Sequence, residues 1–228
     1  MSVLRQRCAL YVERVYVIVI IYCISGLGVD ERVFRNLNSE ELELRHIPWI
    51  EPLPSESLED YSKRLFGTAE LPEEYNLMGL SFGGMIAQEF EKIRKPKNLF
   101  LISTCSGYDQ LPVLIKMCKY LRLNKIVPKK FLNKYNSLIR YYFGANTPGV
   151  KSTLKEILKD TDPKFLKWAI NALLHWKNQF STAGVRIHGD NDKLIPAQKD
   201  TVLISNAGHL MILSHPDELV NTILTKVK

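Results

Sequence analysis

The sequence predicts an α/β protein, a mostly parallel sheet of about six strands interrupted by a helical insert. Three observations support this. Short apolar runs alternate with helix-spaced segments from residue 15 to about 110, which is the pattern of a parallel sheet with crossover helices. Only helical patterns occur from 111 to 177, and strand character returns at 184 and again at 200. The charge changes at the same place. Fourteen basic residues against three acids give segment 111–180 a net +11, and since the whole chain carries +7, the remainder carries −4.

The elements follow in order. "VYVIVIIYCIS" (15–25) is too short to span a bilayer. Arg5 and Arg7 precede it, but Glu13 and Arg14 flank it directly and no small-residue cleavage pattern follows. Its β-branched run ending at glycine reads as a buried parallel strand. The spacing then predicts a helix around 30–40 and a short strand in "LRHIPWIEPL" (44–53), broken by Pro48 and Pro52. Ser57 caps a helix at 58–66, with Asp60 near its start. "YNLMGLS" (75–81) is a strand, "FGGMIAQEFEKI" (82–93) a helix and "KNLFLIST" (97–104) a strand.

The insert shows four apolar stripes: Leu114, Met117, Cys118 and Leu121; Phe131, Leu132, Tyr135, Leu138, Ile139 and Tyr142; Val150, Leu154, Ile157 and Leu158; and Phe165, Leu166, Ala169, Leu173 and Trp176. Asp162-Pro163 supplies a cap and first turn for the last. Strands at 184–189 and 200–205 and a helix at 216–227 complete the chain. The expected organisation is a core of 1–110 and 181–228 with 111–180 inserted. A length of 228 residues suits one such domain, and 46% hydrophobic residues supply its core. Residues 1–14 carry no clear signal.

Four cysteines, Cys8, Cys23, Cys105 and Cys118, lack paired metal spacing and read as buried thiols in a reducing, cytoplasmic compartment. No metal or cofactor is expected. The basic insert suits a solvated lysine face, an anionic substrate or an anionic membrane surface. Nucleic-acid binding is not expected, because no recognisable binding motif accompanies the charge. Stable membrane insertion is not expected either, and the oligomeric state is not legible.

The chemistry centres on "NLMGLSFGGMIAQEF" (76–90), where Gly79-Leu80-Ser81-Phe82-Gly83 fits G-x-S-x-G at a strand-to-helix junction. A serine at so tight a turn brings its neighbours two positions away together, and glycine there removes a Cβ clash. A hydroxyl is a poor nucleophile without a base, and a histidine base needs an acid to fix its tautomer. Downstream, "VRIHGDNDKLIP" (185–196) offers Asp190 and Asp192 in a turn beyond a strand, and "LISNAGHLMI" (203–212) offers His209 beyond the next. One of the two aspartates is expected to be a turn former. His188, at the end of an apolar strand, reads as structural. Gly26-Leu27-Gly28 lacks the third glycine of a dinucleotide loop, since position 31 is Glu31. The alternative is an oxyanion loop in which the amides of Leu27 and Phe82 are the donors.

Together "SGLG", "GLSFGG", "HGDNDKLIP" and "AGHLMI" resemble the α/β-hydrolase superfamily, from about residue 15 onward, and "ISGLGVDERVF" and "DTDPKFLKWAINALLHWKN" resemble small bacterial serine esterases. The resemblance implies Ser81 as nucleophile, His209 as general base and Asp192 as acid, the last because the family's turn reads G-x-x-D from Gly189. It also implies that the insert is a lid. The family's usual H-G-x-G loop is here Ser25-Gly26-Leu27-Gly28, without the histidine. The implied activity is hydrolysis of a small-molecule carboxylic ester with an apolar acyl or alkyl part, the pocket drawing on Phe131, Tyr135, Tyr141, Tyr142, Phe143 and Trp168. Thioesterase, acyltransferase or lyase use of the same site, and a non-catalytic binding protein of the same fold, remain alternatives.

Overall fold

The computed structural model describes residues 18–37, 39–120, 135–179 and 182–227. The proposed start of the first strand (15–17), Cys8, Leu121, Phe131 and Leu132 lie outside these residues. Six strands form one sheet in the order β2-β1-β3-β4-β5-β6, and every pairing is parallel. They are β1 (Val19–Ile24), β2 (Leu42–His46), β3 (Asn76–Leu80), β4 (Asn98–Ile102), β5 (Val185–Gly189) and β6 (Val202–Ile204). Because all six run one way, their carboxyl ends share one edge. The strand order reverses between β1 and β3, the place where open parallel sheets generally form a binding crevice.

Alternation along each strand divides the core between the two faces of the sheet. Met78, Leu80, Phe100 and Ile102 join one cluster with Ile21, Cys23, Ile187 and Ile204. Leu77, Leu99 and Leu101 join the other with Ile24. Helices α1 (Leu58–Thr68) and α2 (Phe82–Ile93) cover the second face through Leu65, Met85, Ile86 and Phe90. Ser57 caps α1 by accepting from the Asp60 amide. The closing helix, Pro216–Lys226, covers the first face through Leu219 and Ile223.

Between β4 and β5 the described helices are α3 (Val113–Tyr120), α4 (Ser137–Phe143), α5 (Pro148–Asp160) and α6 (Pro163–His175). Val150, Leu154, Ile157 and Leu158 of α5 are buried against the first cluster, whereas Phe165, Ala169 and Ala172 of α6 are buried against the second. Asp162 caps α6 by accepting from the Lys164 amide, with Pro163 opening the helix.

Two expectations are corrected. The helix expected at 30–40 is a single 3-10 turn, Glu31–Phe34, capped and ion-paired by Asp30 and Arg32. The run Asn36 to Ser39 favours turns over continued helix, and the chain is already in β2 by Leu42. The strand expected at 44–53 is Leu42–His46. Its ladder closes with the Ile47 amide on the Cys23 carbonyl, and Pro48 has no N–H to extend it.

Candidate active site

Ser81 stands between the end of β3 and the first residue of α2, with φ 53° and ψ −115°. This conformation is costly for a residue with a Cβ, by about 1–3 kcal/mol, so its surroundings must hold it. The Ser81 amide donates to the Ile102 carbonyl at 2.8 Å, and the Ser81 carbonyl accepts from the Gly84 amide at 2.9 Å and the Thr104 hydroxyl at 2.6 Å. The missing Cβ atoms matter as much. One on Gly79 would lie 2.6 Å from Gly84 Cα, and one on Gly83 would collide with the carbonyl oxygens of Ser25 and Ile24. The glycines therefore let α2 start directly against the end of β1, which no larger residue permits.

Ser81 Oγ lies 3.0 Å from His209 Nε2, and His209 Nδ1 lies 2.8 Å from Asp192 Oδ2. His209 comes from the loop after β6 and Asp192 from the turn after β5. That turn is fastened to the His209 loop by Asp190 N to Ile204 O and Asn191 N to Ala207 O, at 3.1 and 2.9 Å. Since a carboxylate only accepts, Nδ1 carries the imidazole proton and the Nε2 lone pair faces the serine hydroxyl. His209 and Asp192 are buried. Asp190 is exposed and accepts only from its neighbour Asn191 among the described bonds, so it is the turn former of the two.

Asp192 is saturated with donors. Oδ1 accepts from the Leu194 and Ile195 amides, each at 2.9 Å, and Oδ2 accepts from His209. His188 Nε2 stands 3.3 Å from the same Oδ2. Burial pushes this carboxyl up. The charge of His209 and the hydrogen bonds from His188, His209 and the Ile195 amide outweigh it and hold the group well below the usual carboxylate range.

Gly26 sits against the elbow, since a Cβ placed on it would be 3.4 Å from both Ser81 Cβ and the Leu80 carbonyl. Gly28 takes φ +72°, the left-handed turn that reverses the loop after Leu27. Phe82 is the first residue of α2, so its amide has no acceptor within the helix. Both expected amide donors thus belong to segments adjoining Ser81. Ser25, in the place of the absent histidine, is buried, with His46 Nε2 3.4 Å from its Oγ.

Aromatic rings surround the elbow. The Phe82 ring packs against Trp49 (centroids 5.9 Å apart) and edge-on to Trp168 (6.1 Å), and Trp168 in turn packs on Tyr61 at 4.3 Å. Beside the base, Phe143 meets the His209 ring edge-on at 5.5 Å, and its carbonyl accepts from the Leu210 amide. Tyr141 is exposed, with the Lys193 ammonium 3.9 Å from its ring centroid. Trp49, Thr104 and the contact of His188 with Asp192 escape sequence reasoning. Trp49 falls in a segment read as strand, and nothing local marks the other two.

No protein-family profile and no curated protein matches the chain. Solved structures do. A hydrolase from Oleispira antarctica superposes with a TM-score of 0.69 at 14% identity, over 92% of this chain and 90% of that one. An esterase from Thermogutta terrifontis gives 0.64 at 17%, over 92% and 90%. The enol-lactonase from Burkholderia xenovorans gives 0.67 at 14%, over 91% and 90%. The chain has the α/β-hydrolase fold.

Identities this low speak for the fold alone, and what the site does must be argued from its own side chains. In this α/β-hydrolase fold the serine, imidazole and carboxylate stand at the carboxyl ends of β3, β6 and β5, on the edge where the strand order reverses between β1 and β3. Among the described residues no group of side chains suits a metal ion, and no helix is long and apolar enough to cross a membrane. Cys23 and Cys105 are free and buried. Burial pushes both thiols up, Cys105 to about 11, so neither is a nucleophile at neutral pH.

Proposed function

We propose that this protein is a serine hydrolase that cleaves carboxylic esters of small or medium apolar acyl groups. One observation carries the reading, the unbroken hydrogen-bonded line from Ser81 Oγ through His209 to Asp192. Ser81 Oγ attacks the ester carbonyl carbon while His209 Nε2 takes the hydroxyl proton. The carbonyl oxygen becomes an oxyanion that the Leu27 and Phe82 amides stabilise, and one such donor lowers a barrier by about 3 kcal/mol. Collapse expels the alkoxide, which takes the proton back from His209, and Ser81 is left acylated. Water, deprotonated by His209, then attacks the acyl carbon; collapse breaks the bond to Ser81 Oγ, which takes the proton back from His209, and the acid is released. Asp192 keeps Nδ1 protonated throughout and offsets the imidazolium charge. The scheme calls for no cofactor.

The apolar acyl preference rests on the rings near the elbow, Trp49, Phe82 and Trp168 beside the nucleophile's neighbour and Phe143 beside His209. In this reading segment 111–180 is a lid: Gly144, at the end of α4, touches Gly208 beside the base, and α6 carries Trp168 to the nucleophile's neighbour. The buried thiols Cys23 and Cys105 favour the cytoplasm as its compartment.

A fluorophosphonate probe tests the reading. The parent is expected to be labelled and Ser81→Ala left unlabelled; equal labelling of both, or of neither, overturns it. Turnover of p-nitrophenyl esters is expected to vary with acyl length, and a flat response removes the apolar pocket. Matched thioesters separate esterase from thioesterase use.

A further inference from the structure

His188 precedes Gly189 at the end of β5 and is 1% exposed. Its Nε2 lies 2.8 Å from the Ile195 carbonyl oxygen and 3.3 Å from Asp192 Oδ2. A carbonyl cannot donate, so Nε2 holds a proton. One N–H therefore spans two acceptors, with the shorter contact fixing the tautomer and the longer one reaching the oxygen that also receives His209. The position is built in. A Cβ on Gly189 would collide with the Ala207 carbonyl, so only glycine lets the end of this strand close against the loop carrying His209.

We propose that His188 is a positioning residue for the reaction, its Nε2–H holding the Asp192 carboxylate in the rotation that presents Oδ2 to His209. The inference rests on the triad reading above and adds a residue to it. The two amides on Oδ1 fix one oxygen, but a carboxylate can still rock about the line through that oxygen. A second donor on Oδ2, from the end of the strand that leads into this turn, removes that freedom. It also draws electron density away from His209. Among the described residues the titratable groups touching Asp192 are His209 and His188; Asp190 and Lys193 beside it on the turn are exposed, and Arg186, two positions before His188 on β5, is half-buried.

Long-range proton–nitrogen correlation spectra of the ¹⁵N-labelled parent read the tautomer directly. The Nε2–H form of His188 is expected, and an Nδ1–H form overturns the proposal without any variant. His188→Phe is expected to lower kcat on a p-nitrophenyl ester by roughly tenfold, the lower end of the range for lost outer partners of site residues, with KM little changed. With the N–H gone, Oδ2 stabilises the His209 imidazolium more, so the acid limb of kcat/KM should move to higher pH. His188→Gln keeps an amide N–H at the same reach and should restore both kcat and the limb. A folded His188→Phe with the parent's kcat and limb, or a folded His188→Gln as impaired as His188→Phe, overturns it. The triad reading fails separately, if His209→Ala and Asp192→Asn still take up the fluorophosphonate at the parent's rate.

Discussion

Replacing Asp192 by asparagine changes no atom's position by design and yet should nearly stop the reaction. In the parent, Oδ1 accepts from two backbone amides and Oδ2 from two imidazole N–H groups. Asparagine offers one oxygen and one NH2. The amides of Leu194 and Ile195 are fixed donors, so the oxygen must stay with them and the NH2 must face His209. That leaves His209 two poor choices. It can keep Nδ1–H and point donor at donor, or move the proton to Nε2, where it can no longer accept from Ser81. The charge-assisted bond that is lost is worth about 1.5–3 kcal/mol, and donor-against-donor repulsion in the productive tautomer costs roughly as much again. At about 1.4 kcal/mol per tenfold, the combined effect is on the order of 10²–10⁴ in rate.

Asp190→Asn, at an exposed turn position, should change the rate by less than about twofold. The assays are kcat/KM on a p-nitrophenyl ester and the second-order rate of fluorophosphonate labelling, with thermal melts to establish folding. A folded Asp192→Asn within tenfold of the parent, or Asp190→Asn as the more damaged of the two, refutes the reasoning. Stability carries its own signature. A carboxyl whose folded pKa lies below the unfolded value stabilises the fold above that unfolded value, near 4, and the contribution is lost as pH falls through the folded one. The parent's melting temperature should therefore drop more steeply below pH 4 than that of Asp192→Asn.

Gly83→Ala should destabilise the fold by about 3 kcal/mol, because its Cβ would meet the carbonyls of Ser25 and Ile24, which are backbone and cannot step aside. A melt lowered by roughly 6–12 °C is the expected reading for a chain of this size; an unchanged melt with normal labelling would show that α2 does not start where it is drawn. Gly144→Ala should cost about 1–2 kcal/mol, since Gly144 takes φ +66° and a Cβ there would lie 3.0 Å from Gly208 Cα. It should also slow labelling several-fold by loosening Phe143 from His209, and parent-like labelling would argue that α4 does not steady the base.

Much of the framework is legible in the chain itself because its causes are local. Continuous apolar runs, as in "NLFLI" and "NLMGL", need two buried faces whatever their neighbours are. Ser57 and Asp162 can cap helices from their own positions, and the glycines of "GLSFGG" make a sharp turn possible within six residues. Local signals also mislead where competing turn chemistry wins, as at 30–40, where Asp30 and Arg32 close one 3-10 turn and the chain goes no further as helix.

The order of strands, the face each inserted helix covers, and the meeting of Ser81, His209 and Asp192 were decided only by the folded chain. The choice between two aspartates two residues apart is already implied by the G-x-x-D resemblance, but its physical reason is visible only in the folded chain. Asp192 turns inward because the amides of Leu194 and Ile195 and the imidazoles of His188 and His209 converge on it, while Asp190 meets none of these and stays in water. Spacing along the chain cannot carry that information. Three of those donors lie within four residues of Asp192, but His209 comes from the loop after β6, and its distance is set by how parallel strands pair and how glycine lets backbones touch, interactions that exist only once remote residues are neighbours.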